Sequence, residues 1–213
     1  TAATPSVNAD WGNRMPETRL TLQRDYPRLI KAKDGRRITL RLMEASDSDE
    51  LLAFARSLPP DDLLFLRSDI TLPEVVEQWV RDIEEARTIT VLAEDAGKLV
   101  GYGSLHFNEV LWTGHVGEIR MLVTPDSRRL GLGSRLASEL FAVAKGLGLK
   151  KIMVQMTPDQ QGARVTFERL GFRPEAILAD FVLDREGRTR DLLIMSYDIT
   201  GLTDIEDVVK DRL

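Results

Sequence analysis

Cysteine is absent from the 213 residues, which excludes disulfides, thiolate metal sites and a cysteine nucleophile together. Histidine is almost as scarce. His106 and His115 are the only two, neither stands at a metal-ligand spacing such as His-x-x-x-His, and both read as ordinary strand-end residues, with His115 or Asn108 as the lesser alternative beside a substrate cleft. No metal is expected. No apolar run approaches the roughly eighteen residues of a membrane span, and the N-terminus lacks the charged, apolar and small-residue segments of a signal peptide. A cytoplasmic protein with no membrane partner is expected. There is no Gly-x-Ser-x-Gly elbow, so a serine hydrolase triad has no support.

What is present suits a folded domain: 43% hydrophobic and 30% charged residues are ordinary for a globular chain, and the length allows one good core. The net charge of −5 is uneven, because residues 1–41 hold nine Lys and Arg against four Asp and Glu. Those basic residues are scattered without interleaved aromatics and fit a solvated hairpin face, so no nucleic-acid partner is expected.

Along the chain, residues 1–27 form a polar arm containing Pro5 and Pro16, with Trp11 the one sign of packing. Two alternating stretches, 28–33 and 36–43, flank Asp34-Gly35 and predict a hairpin. The cluster Ser46-Asp-Ser-Asp-Glu50 opens a helix ended by Pro59-Pro60. Thr71-x-x-Glu74 predicts a capping box on a second helix, whose apolar positions from Leu72 to Ile83 recur at helical spacing. Strands follow at 88–94, 99–107 and 115–123, a helix carries Leu136, Leu140, Val143 and Leu147, and a strand spans 151–156. A late helix closes on Gly171 with Phe172 turned onto the core. A last hairpin joins 172–183 to 189–197, and Thr203-x-x-Glu206 caps a short C-terminal helix within 200–213. The order predicts an α+β domain over 28–199, a mixed sheet flanked by helices, with a glycine loop at a strand's carboxyl end where open sheets bind ligands.

That loop, Arg128-x-x-Gly131-x-Gly133, lacks side chains where backbone N–H groups would meet an anion, and it opens a helix at its positive end. A P-loop would need Gly-Lys-Ser/Thr where Gly133-Ser134-Arg135 stands, and a dinucleotide fingerprint would need glycine at Leu136. Both readings fail.

The surviving pattern resembles motif A of the GCN5-related N-acetyltransferases (GNAT), with Arg128, Gly131 and Gly133 in place and Val123-x-Pro125 before them. Ala163-Arg-Val-Thr-Phe-Glu-Arg-Leu-Gly-Phe172 is similar to the family's late helix. The resemblance spans roughly 36–199 and implies a mostly antiparallel central sheet with helices on both faces, acetyl-CoA as co-substrate, and transfer of an acetyl group to an amine, either a protein lysine or a small molecule. It implies that amides of Met121, Leu122 and Val123 hold the pantetheine arm and polarise the thioester carbonyl. By the same carry-over, amides of Arg129, Leu130, Gly131, Leu132, Gly133 and Ser134 hold the diphosphate, and Arg128 buttresses the turn or the phosphates. Gln160 and Phe167 fall at cofactor-lining positions of the late helix. The family's tyrosine acid is replaced by Phe167, its asparagine by Gln160, and a strand carboxylate by Gln155, so a domain that binds acyl-CoA without catalysis is the alternative. Glu118 is the candidate general base, a strand carboxylate expected to be partly desolvated and therefore more basic. Residues 58–67 and the Asp34-Gly35 hairpin are similar to segments of bacterial protein-lysine acetyltransferases. The 58–67 stretch either borders the acceptor site or is a helix connection burying Leu64 and Leu66. A homodimer is compatible with this reading.

Overall fold

The computed structural model describes residues 25–63, 66, 68–108, 112–184 and 186–199. The expected arm up to residue 24, Leu64 and the helix expected in 200–213 lie outside the described residues. An eight-stranded sheet runs in the order β1-β2-β3-β4-β5-β6-β8-β7, with β1 Arg28–Lys31, β2 Arg37–Leu42, β3 Thr88–Asp95, β4 Lys98–His106, β5 Val116–Val123, β6 Lys151–Met156, β7 Arg173–Leu183 and β8 Thr189–Asp198. Every neighbouring pair is antiparallel except β5 and β6. The helices are α1 Ser48–Ser57, α2 Pro60–Leu63, α3 Pro73–Glu84, α4 Leu132–Gly146 and α5 Gln161–Arg169.

The first hairpin is shorter than the alternation predicts. The Ala32 N–H donates to the Arg36 carbonyl at 2.9 Å and closes the turn early, while the Lys33 N–H leaves the ladder for the Leu130 carbonyl at 3.1 Å. The first helix is likewise preceded by a 3-10 turn over Ala45–Asp47. Asp47 explains it: its carboxylate accepts from the Glu44 N–H at 2.7 Å and from Arg41 at 2.7 and 2.9 Å. The capping box expected at Thr71 does not form. Thr71 turns its hydroxyl and N–H back onto Asp69, at 2.6 and 3.0 Å, and α3 instead starts from extended Leu72 with Pro73 in its first turn.

The sheet has a core on each face. On one, Leu136, Leu140 and Val143 of α4 and Leu147 just after it pack on Val91, Ala93, Leu105 and Ile119, joined by Phe167 and Phe172. On the other, Leu51, Phe54, Val76 and Trp79 of α1 and α3 pack on Leu92, Tyr102 and Leu122. Leu66 is partly buried against the second core. Gly171 ends α5 at a φ of +92°, and Phe172 behind it is buried in the first core, as the late-helix pattern predicts.

Candidate functional site

Alternation along β5 decides which groups meet. Gly117 and Ile119 face α4, while Glu118, Arg120 and Leu122 point to the opposite side. The parallel partner β6 pairs with β5 only through Val116–Lys151, Gly117–Ile152 and Glu118–Met153. Beyond Glu118 the two strands part, so residues 119–123 keep β4 on one edge and have no strand on the other. Met121, Leu122 and Val123, the expected pantetheine ligands, all lie on this open edge.

At the end of β5 the chain makes a 3-10 turn over Pro125–Ser127 and enters α4. Arg129 and Gly131 both take left-handed backbone, at φ +61° and +86°, and alternation of hand over successive residues aims their N–H groups into one concavity. None of the N–H groups of residues 129–134 donates to any acceptor among the described residues. Those of 132–134 are the first-turn donors that a helix leaves unpaired. A Cβ on Gly133 would meet nothing within 4 Å, so the approach to the amides is open. Loop and first-turn N–H groups left without a protein acceptor among the described residues suit an anion such as a diphosphate.

Arg128 is turned under this loop. Its Nε donates to the Val123 carbonyl at 3.1 Å, and its guanidinium pairs with Asp62 of α2 at 2.5 Å. Of the two roles expected for Arg128, these contacts are those of a buttress. Asp62 lies in the 58–67 stretch, so that segment also braces the loop.

On the face away from α4, a cavity of about 530 Å³ opens between β4, β5, β6, β7 and β8, lined by His106, Glu118, Arg120, Lys151, Gln155 and Glu175 among others. The Glu118 side chain is 15% exposed and accepts from Arg120 Nε at 3.0 Å. Across the cavity Glu175 takes hydrogen bonds from Lys151 and, at 2.6 Å, from the Ser196 hydroxyl. Burial pushes the Glu175 carboxyl up, but these two donors outweigh it and hold it below the usual range. The Thr88 hydroxyl and His106 Nδ1 lie 2.9 Å apart, and Asn108 also lines the cavity whereas His115 does not.

The late helix contributes less than its motif suggests. The Gln160 side-chain Oε1 accepts from the Thr157 N–H at 3.1 Å. Phe167 is 5% exposed and stacks edge-on against Phe172, so only its margin faces outward. None of Tyr26, Tyr102 and Tyr197 lines the cavity. Lys151, Glu175 and Asp62 escaped the sequence reading, because each is joined to the site by tertiary pairing and carries no local spacing signal; Arg120, two residues from Glu118 on the same strand, was read only as alternation. Among the described residues no three His, Asp or Glu side chains gather as metal ligands, and no helix is long and apolar enough to cross a membrane.

The family profile described as acetyltransferase (GNAT) family matches residues 54–172, more than half of the chain. The chain belongs to this family. A GNAT enzyme is an N-acetyltransferase with acetyl-CoA as co-substrate. YwnH of Bacillus subtilis (strain 168), named provisionally as a phosphinothricin acetyltransferase, is 22% identical over 170 residues, which are 76% of this chain and all of YwnH. Solved acetyltransferase structures share the fold. Salmonella typhimurium yncA, solved with its cofactor acetyl-CoA, superposes with a TM-score of 0.68 at 19% identity, covering 78% of this chain and 96% of that one. The ribosomal-protein-alanine N-acetyltransferase of Brucella melitensis gives 0.67 at 22%, covering 75% and 99%.

Proposed function

We propose that this GNAT chain acetylates a small polar amine held in the 530 Å³ cavity, with Glu118 as general base. The observation that carries the reading is the position of Glu118. It occupies the last parallel pair before β5 and β6 separate, so its carboxylate lines the cavity at the point where a ligand on the open strand edge would end.

Acetyl-coenzyme A supplies the acetyl group as an activated thioester, and coenzyme A leaves as the thiol when the C–S bond breaks. The amides of residues 129–134 hold its diphosphate, with Arg128 keeping their loop in place, and the amides of Met121, Leu122 and Val123 hold the pantetheine arm and donate to the thioester oxygen. Gln160, just before α5, and the exposed margin of Phe167 border the arm. Glu118 takes a proton from the incoming ammonium, directly or through one water, leaving a neutral nitrogen able to attack. Its bond to Arg120 fixes the carboxylate's direction before the amine arrives. The cavity is of small-ligand size, and its mixed charge suits an acceptor carrying both signs.

A protein lysine is the second reading, supported by Trp112, which is 84% exposed beside the cavity-lining Thr113. Thiol release from acetyl-CoA against a panel of amino acids, amines and lysine peptides separates the two. Glu118→Gln should lower turnover about 10²-fold with acetyl-CoA affinity unchanged; unchanged turnover would remove the base assignment. Acetyl-CoA binding with no release for any acceptor would leave the non-catalytic alternative.

A further inference from the structure

A second cavity, of about 430 Å³, lies between the β1–β2 hairpin and the start of α4, lined by Lys31, Lys33, Leu130, Gly131, Leu132 and Arg135 among others. Three of its side chains are cationic and no carboxylate lines it. Neither Lys31 nor Lys33 is ion-paired among the described residues, although carboxylates lie within reach of the same hairpin and are engaged by Arg36 instead, Asp34 at 2.7 Å and Asp95 at 2.7 Å. The lysines are held in place by their surroundings. The Lys33 N–H is bonded to the Leu130 carbonyl at 3.1 Å, and its side-chain stem runs over Gly131, with Cε 3.6 Å from where a Cβ would stand. Arg135 is fixed by Glu139 at 2.9 Å, a buried carboxylate that also accepts from Arg28 at 3.2 Å and from the Tyr26 hydroxyl at 2.9 Å.

Uncompensated cations gathered in a concavity repel one another and favour an anion. This concavity shares Gly131 and Leu132 with the diphosphate cradle, whose own six amides already serve the diphosphate. We propose that Lys31 and Lys33, with Arg135 as a fixed positive wall, bind the 3′-phosphate on the ribose of coenzyme A. That group is a phosphate monoester, close to a dianion at neutral pH, one sugar away from the diphosphate. The proposal rests on the coenzyme A reading of the cradle. It makes the hairpin a specificity element that distinguishes coenzyme A from the otherwise identical dephospho-coenzyme A.

The test is calorimetry of the wild type and of the Lys31→Gln, Lys33→Gln double variant with both ligands, after checking that the two proteins melt together. The wild type should bind coenzyme A at least about tenfold more tightly than dephospho-coenzyme A, as expected for charge-assisted bonds to one phosphate. The double variant should lose that preference while binding dephospho-coenzyme A as the wild type does. A wild type without preference, a variant that keeps it, or a variant that loses affinity for both ligands equally would each overturn the proposal. A wild type that binds neither ligand would bring down the cradle reading itself, an outcome distinct from the other three.

Discussion

Left-handed backbone at a residue bearing a Cβ costs about 1–2 kcal/mol, and Arg129 carries that strain at φ +61° one residue before Leu130 and two before Gly131 at +86°. The loop holds this conformation because both its sides are tied down, by Arg128 to Val123 and Asp62 and by Leu130 to Lys33. Gly131→Val should therefore lower acetyl-CoA affinity by about tenfold or more through a reoriented amide cradle, and cost about 1–2 kcal/mol of stability, read by calorimetry and denaturant melts. Unchanged affinity would mean that the ligand does not use these amides. The spacing of Arg128, Gly131 and Gly133 made the cradle legible, since a missing side chain is a feature of sequence. The strain at Arg129 was not legible, because nothing in an arginine announces a positive φ. Glu118 was picked out as a candidate from its strand position and its family match, whereas its partner Arg120, two residues on, was read only as alternation.

Turns and caps decide the elements, and there the sequence was most and least informative. Asp34-Gly35 was readable because few residue pairs accept its backbone. The lengths of β1 and β2 were not, since they depend on Lys33 bonding a loop almost a hundred residues away. The capping pattern at Thr71 failed because Asp69 competes for the same hydroxyl. The β7–β8 turn offers a pH test. The Asp184 side chain is 1% exposed and accepts from the N–H groups of Glu186 and Arg188 at 3.1 and 2.9 Å and from the Arg188 guanidinium at 2.9 Å. Burial pushes its carboxyl up, and these donors outweigh that and hold it below the usual range. A depressed folded-state pKa contributes stability above the unfolded value and loses it as pH falls through the folded one. The stability gap between wild type and Asp184→Asn should therefore be constant at neutral pH and close progressively below about pH 4. A gap independent of pH would show that the turn needs the shape of the side chain and not its charge.

At the scale of the molecule, the separation of β5 from β6 follows from what fills each face. Leu136 and Leu140 of α4 press on one side of the sheet, α1 and α3 cover β3 and β4 on the other, and the ground past Glu118 is left to the polar cavity. Element order was enough to read a mixed sheet flanked by helices, and the family resemblance put those helices on both faces. The cavity lining from β7 and β8 was not legible, because Glu175 and Ile194 reach the cavity only through strand pairings far apart in sequence. This arrangement predicts a pattern of amide exchange. Free protein should exchange quickly along residues 119–123 and 129–134, where no strand or acceptor covers one set of N–H groups, and slowly in β3 and β4, which are paired on both edges. Saturating coenzyme A should slow exchange in those two segments and, if its 3′-phosphate engages the hairpin, in 31–33 as well, while the edge strand β7 stays as it was. Protection confined to the cavity lining, or spread evenly over the sheet, would place the ligand elsewhere and separate the fork between β5 and β6 from the binding of coenzyme A.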